Sequence, residues 1–319
     1  MCSPGCCTNK RVSKLRKTVD DDAPPKLIVP TPQSLLYSYE ACQEAADFIT
    51  KNSETRPKFG IICGSGLNAL AEMLENPMVF PFADIPHFVE PDEDHPGKVF
   101  VGTLRGATVM AIQGRFQLYE GYTMAKSVMP VRVMKLCGVE YLFSTNAASA
   151  TNPQYGVGDI MLLRDHINLA YLLTGVSPLH GPNEKRFGTR FPVLVDAYDP
   201  TLIEKALGIS NTLGLEDHVH VGIYSCLGGP FYETVAEQNV LQLFGTDAVG
   251  MSTVHEVITA RHCNIKVFAF SIITSTALDS EGKTEHHMSI SEVTHVTKLR
   301  QQAYCELIAR LIYEVQNAA

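Results

Sequence analysis

A chain of 319 residues, 45% hydrophobic and 19% charged, is long enough for one large α/β domain or two small ones, with apolar residues enough for a sizeable core. Its formal net charge of −8 leaves no basic face to neutralise phosphodiesters, which argues against a nucleic-acid partner. The nine cysteines are odd in number and scattered, several of them (Cys63, Cys137, Cys226) inside apolar runs, the usage of a reducing compartment.

No Cys/His set has a zinc-like spacing, so no metal is expected. No apolar run reaches membrane-spanning length and no apolar leader opens the chain, so the expected location is cytoplasmic, with no membrane partner. Residues 1–33 read as a disordered tail, with a basic patch (Lys10, Arg11, Lys14, Arg16, Lys17), Asp20-Asp21-Asp22 and a proline-rich end. Cys6-Cys7 beside the basic patch fits no lipidation motif cleanly. A single domain, 34–319, follows.

Leu35, Tyr39, Cys42, Ala46 and Ile49 share one face of an amphipathic helix. Phe59–Ile62 is a short buried strand running into Cys63-Gly64-Ser65-Gly66-Leu67, with a helical run behind it. A strand, a glycine turn and a helix start present N–H groups to an anion, here with Ser65 at the mouth. That turn is neither a full phosphate-binding loop nor a full dinucleotide fingerprint.

Residues 84–98 read as a loop. Lys98–Leu104 and Ala107–Ile112 flank Arg105-Gly106 as a hairpin, which delivers Arg115 beside Gly114 at a strand end. A helix is expected over Met124–Leu136 and a strand over Val139–Thr145, ending at Asn146-Ala147-Ala148-Ser149. Gly158–Leu163 is a strand; an irregular segment from Arg164 to Tyr198 follows, with Asp165 and His166 in a buried, satisfied polar network.

Pro200–Leu213 reads as helix and Val219–Cys226 as strand. Gly228-Gly229-Pro230-Phe231-Tyr232-Glu233-Thr234 then sets an aromatic ring beside a carboxylate, ahead of a helix over Val235–Phe244. A ring offers a stacking surface for a planar ligand, and a carboxylate accepts N–H donors at that ligand's edge. Asp247-Ala248-Val249 is a buried strand closed by Gly250-Met251-Ser252-Thr253, whose thioether fills apolar space and whose hydroxyls can meet an anion. Thr253–His262 (helix), Ile265–Ile273 (strand) and a C-terminal helix burying Tyr304, Ile308, Leu311 and Val315 complete the chain.

Alternating strands and helices give an α/β class with a mixed, largely buried central sheet flanked by helices. The ligand-suited segments 63–67, 113–119, 146–149 and 250–253 all follow strands, where open α/β sheets place their ligands. On those residues the chain resembles the trimeric purine nucleoside phosphorylases (nucleoside phosphorylase family 2). The matching motifs, over roughly residues 35–315, are Ile61–Leu67, Gln113–Phe116, Tyr119–Tyr122, Thr145–Ala148, Arg164–Asn168, Gly229-Pro230 with Glu233-Thr234, and Asp247–Thr253.

The resemblance implies reversible phosphorolysis of purine (deoxy)ribonucleosides such as inosine and guanosine, in a homotrimer. No cofactor is implied, inorganic phosphate being a substrate. By the same resemblance Ser65, His95, Arg115, Gln117, Ala147 (through its N–H) and Ser252 hold phosphate. Tyr119, Asn146, Tyr232, Met251 and Ser275 line the nucleoside, Phe187 caps the sugar of a neighbouring subunit's site, and Glu233 and Ser275 act on the base.

Three positions depart from the family pattern. Gln117 stands where a histidine is expected, and Ser275 where the family has the asparagine that meets the purine edge. The histidine near the sugar 5′-hydroxyl has no counterpart: His286 and His287 lie close by, but the simplest alignment puts Ile290 there. Asp94 also replaces a glycine before His95, and Ser149-Ala150 a glycine pair. These departures leave two alternatives open, a phosphorylase of shifted nucleoside specificity and a nucleoside-binding protein of low turnover. Glu233 speaks against the methylthioadenosine branch, which usually lacks it.

Overall fold

Short apolar runs of β-branched and aromatic residues bounded by glycine turns make the strands, and 3.6-residue stripes make the helices. The structure, a computed structural model, describes residues 38–89, 97–276 and 290–318. The tail 1–33, with Cys6-Cys7, lies outside the described residues, as do Asp94, His95, His286 and His287.

In order, the chain forms α1 (Tyr39–Ser53), β1 (Phe59–Cys63), α2 (Ala69–Glu72), β2 (Glu75–Pro81), β3 (Lys98–Leu104) and β4 (Ala107–Gln113). Next come α3 (Met124–Ser127), α4 (Met129–Cys137), β5 (Tyr141–Ala150), β6 (Ile160–Asn168), α5 (Leu169–Thr174) and α6 (Pro200–Thr212). The chain closes with β7 (Val219–Cys226), α7 (Val235–Leu243), β8 (Ala248–Gly250), α8 (Val254–His262), β9 (Lys266–Ser275), α9 (Ile290–Leu299) and α10 (Gln301–Asn317).

The strands form one mixed sheet. β2 and β3 are antiparallel extensions, whereas β4, β1, β5 and β9 run parallel side by side. From β5 the sheet closes on itself: β9 pairs with β6, β6 with β7, β7 with β8, and β8 returns to β5. A five-strand ring with an open four-strand wing results, so β5 is flanked by β1 and β9 and meets β8 at its carboxyl end. Phe59, Ile61, Phe143, Phe268 and Phe270 fill the sheet–helix interior, fully buried.

Several elements outrun their sequence-based limits. β5 continues through Asn146–Ala150 rather than ending at Thr145, because β9 and β8 both hydrogen-bond that stretch. β6 carries Arg164–Asn168 past a bulge, held by β7 as far as Cys226. The segment expected to be irregular also contains α5, capped by Asn168 Oδ1 accepting from the Tyr171 N–H at 3.2 Å. α2 is a single turn, shorter than the helical run expected after Leu67, so little helix dipole stands behind Ser65. His166 is half-buried with Nδ1 3.0 Å from the Tyr198 hydroxyl, as a satisfied network requires, whereas Asp165 is exposed.

Candidate active site

The carboxyl ends of β1 and β5, the segment after β4 and the end of β8 meet at one place. Cys63 lies in register with Gln113 of β4, and Ile62 with Ser144 of β5. Gly64 enters the turn pressed against β5: a Cβ there would lie 2.6 Å from both the Thr145 carbonyl and the Asn146 Cα. Only glycine allows that approach. The Gly64 N–H donates to Thr145 Oγ1 at 3.0 Å, which itself donates to the Ile62 carbonyl at 3.0 Å. Ser65 is left exposed at the tip.

Arg115, two residues past β4, turns inward across these ends. Nε donates to Glu256 Oε1 at 2.6 Å, and Nη2 to the Thr145 carbonyl at 2.8 Å and to Glu256 Oε2 at 3.2 Å. Nη1 makes one long contact, 3.4 Å to the Cys63 carbonyl, so it is the edge of the fork with donors to spare. The two side chains are 7% and 4% exposed, a buried ion pair. Burial penalises both charges. The partner's charge and hydrogen bonds more than offset that, holding the Arg115 guanidinium above and the Glu256 carboxyl below its ordinary value. Burial pushes the adjacent Cys63 thiol up to about 12, so it stays neutral.

From the other side β8 ends at Gly250, packed so closely that a Cβ would lie 2.4 Å from the Tyr224 hydroxyl. Ser252 and Thr253 follow, both buried. The Val254 N–H donates to the Ser252 carbonyl at 2.8 Å across Thr253, whose φ of 70° and ψ of −52° make a γ-turn of the rare, strained hand. A β-branched residue there costs on the order of 1–3 kcal/mol.

The Gly228–Thr234 loop leaves β7 beside β8, the Leu227 N–H donating to the Gly250 carbonyl at 2.9 Å. A Cβ on Gly229 would lie 2.3 Å from Met251 Sδ, so the loop and the β8 turn are in contact. Glu233 is buried at the foot of α7, while Tyr232 and Tyr119 are partly exposed. Burial, with Glu120 and Tyr232 adding to it and Arg115 opposing, raises the Tyr119 phenol. Gln117 is half-buried, its N–H donating to Glu120 Oε2 at 3.3 Å. Ser275 ends β9 in register with Ser149 of β5.

Two sequence-based assignments are changed by the geometry. Asn146 has its amide engaged within the protein: buried, it donates from Nδ2 to Thr253 Oγ1 at 2.9 Å and accepts from Ser271 Oγ at 2.7 Å, so it also braces the β8 turn. Phe187 does not reach outward. It is 5% exposed, 5.0 Å from the Tyr39 ring and beneath the Arg132 guanidinium at 4.6 Å, inside its own chain. Four residues on, Phe191 is 83% exposed. Glu256 was not singled out from the sequence at all. Its signal is an acid inside a helix buried on nearly every side, which demands a partner. His95 lies outside the described residues, and among those described no group of His, Cys, Asp or Glu is arranged to hold a metal.

The chain is similar to known phosphorylases. Residues 58–312 match the family model described as "Phosphorylase superfamily". The purine nucleoside phosphorylase of Anopheles gambiae is 47% identical over 292 residues, covering 91% of this chain and 82% of that protein. That of Bos taurus is 44% identical, covering 88% and 96%. The crystal structure of Schistosoma mansoni purine nucleoside phosphorylase in complex with inosine superposes with a TM-score of 0.82 at 38% identity, covering 88% of this chain and 98% of that one.

Proposed function

The chain belongs to the phosphorylase superfamily, and we propose that it is a purine nucleoside phosphorylase, splitting nucleosides such as inosine and guanosine with phosphate to give free base and (deoxy)ribose 1-phosphate. The observation that carries this reading is that the turns bearing Ser65, Arg115 and Ser252 are tied to one stretch of β5 and its neighbour Glu256: the Gly64 N–H donates to Thr145 Oγ1, Arg115 to the Thr145 carbonyl and Glu256, and Asn146 to Thr253. Chain segments far apart in sequence have no packing reason to bring two hydroxyls and a buried cation together there.

In the reaction the glycosidic bond lengthens before the new C–O bond is made, so positive charge develops on the sugar. A phosphate held beneath the ring by Ser65, the Nη1 edge of Arg115, the Ala147 N–H and the Ser252 hydroxyl both neutralises that charge and is aligned for attack. The departing purine takes up negative charge. Glu233 accepts from the N–H edge of the base and Ser275 donates to it, directly or through water, so that the leaving group is held better as it forms. Tyr232 stacks on the base, and Tyr119 and Met251 pack against the ribose. Gln117 gives phosphate a neutral donor. Phosphate is the only co-reactant this chemistry needs, with no metal or organic cofactor.

Two stretches of exposed apolar side chains support a homotrimer. Leu172, Leu173, Phe191 and Val195 lie between β6 and α6, and Phe231, Leu243 and Phe244 lie around α7. A cyclic head-to-tail assembly joins two different surfaces in this way. The residue able to reach a neighbour's site is then Phe191. Sedimentation should give about three times 35.0 kDa; a monomer would remove this part of the reading. No described helix is long and apolar enough to cross a membrane, and a cytoplasmic enzyme is the corresponding proposal.

The test is a panel of inosine, guanosine, adenosine, methylthioadenosine and cytidine with and without phosphate, reading free base. Phosphate-dependent release from inosine and guanosine is expected. Release confined to another nucleoside would move the specificity, consistent with Ser275, and saturable binding without release would leave a binding protein.

A further inference from the structure

The strained turn centred on Thr253 begins at Ser252 and sits where the two arms of the phosphate grip join. A β-branched residue with positive φ persists only where its surroundings over-determine it. Thr253 is fully buried, and its Oγ1 accepts from Asn146 Nδ2 at 2.9 Å, with Ser144 Oγ at 3.4 Å. Ser271 in turn anchors Asn146 at 2.7 Å. Ser144 donates to Glu256 Oε2 at 2.7 Å, and Glu256 holds Arg115. Ser252 on one side of the turn and Glu256 in the first turn of α8 on the other are therefore set by the same five-residue piece of backbone. If the turn relaxed to an ordinary extended or helical conformation, the Ser252 hydroxyl and the carboxylate gripping Arg115 would shift together.

We propose that Thr253 is a positioning residue for phosphate, its side-chain oxygen locking the γ-turn that holds Ser252 and, through Glu256, Arg115 in one frame. This rests on the reading that those residues bind phosphate. Glu256 is the second positioning residue, acting on Arg115 alone.

The test compares Thr253→Val, which keeps the shape and removes the oxygen, with Thr253→Ser, which keeps the oxygen. Losing a buried hydrogen bond that holds a strained turn should raise the KM for phosphate about tenfold in Thr253→Val, the equivalent of about 1.4 kcal/mol. The KM for inosine should stay within about twofold, and Thr253→Ser should restore phosphate affinity. Glu256→Gln should raise the phosphate KM in the same selective way, and it serves if Thr253→Val does not fold.

A KM for phosphate unchanged in both variants would overturn the proposal. So would a matched rise in both KM values tracking a lower melting temperature, the mark of a purely structural residue. A readout without turnover separates the two claims: the rise in melting temperature on adding phosphate alone. If the wild type shows that rise but no base release, and Thr253→Val abolishes it, positioning stands and the reaction assignment fails. No rise in the wild type would overturn both.

Discussion

Replacing Arg115 by Met removes one half of a buried ion pair and leaves Glu256, 4% exposed, without its cation. Breaking such a pair from one side costs about 3–5 kcal/mol, because the remaining charge stays desolvated. At roughly 2 °C per kcal/mol for a domain this large, the melting temperature at pH 7 should fall by about 6–10 °C. Adding Glu256→Leu to Arg115→Met removes the stranded carboxylate, so the double variant should be more stable than Arg115→Met alone.

The pH dependence has a defined sign. In the wild type the Glu256 carboxyl is held below its ordinary 4.5, burial being outweighed by Arg115, so its contribution is present above 4.5 and is lost as pH falls through the folded value. In Arg115→Met burial is opposed only by His255 and the Ser144 hydrogen bond, so that carboxyl rises, takes up a proton at a higher pH than in the wild type, and the gap to wild type should narrow as pH falls. Urea titrations of the wild type, the single variants Arg115→Met and Glu256→Leu, and the double variant at pH 7 and pH 5 read all of this. Additive losses, or a loss below about 1 kcal/mol for Arg115→Met, would show that the pair is solvated and that the arginine is not preset.

Glu233→Ala should cut turnover far more than Gln117→Ala, because only the first removes a group acting on the departing base; equal losses in steady-state assays would mean that the base edge is misplaced. Ser275→Asn should improve inosine turnover by lengthening the reach at the end of β9, and an unchanged kcat/KM would show that the base is recognised otherwise. Asp159 accepts from the Gly156 N–H at 2.8 Å and faces His220 Nε2 at 2.9 Å and His218 Nδ1 at 3.0 Å. Burial pushes its carboxyl up, but these bonds prevail and hold it below 3.8. Asp159→Asn should therefore cost about 1–2 kcal/mol at pH 7, discounted because His218 is half-exposed, and the difference should vanish as pH falls below 3.8. A constant difference down to pH 3 would assign the effect to packing.

How much of this was legible in the sequence depends on whether a signal is local. The segments at 63–67, 113–115 and 250–252 announced themselves because a glycine beside a polar side chain after an apolar run is a pattern within a few residues. β7 and the β3–β4 hairpin were legible for the same reason, whereas β5 and β6 were cut short because their extra length comes from partners about 125 positions away in β9 and 58 away in β7. Glu256, 141 positions from Arg115, left as its trace only an acid in a helix that the fold buries on nearly every side. Arg186-Phe187-Gly188-Thr189-Arg190-Phe191 holds two Arg-Phe pairs, and nothing local says which ring turns in. Tyr39 and Arg132, which bury Phe187, come from α1 and α4. The γ-turn at Thr253 carries no signal of its own, since threonine is a residue that sequence rules place elsewhere.

The most direct test of the phosphate grip beneath a sugar follows the phosphorus itself. With inosine and inorganic phosphate, ³¹P NMR should show ribose 1-phosphate appearing in step with hypoxanthine, one for one, and the reaction should run backward when those two products are supplied. Hypoxanthine appearing while the phosphate signal stays unchanged would make the protein a hydrolase and contradict that grip.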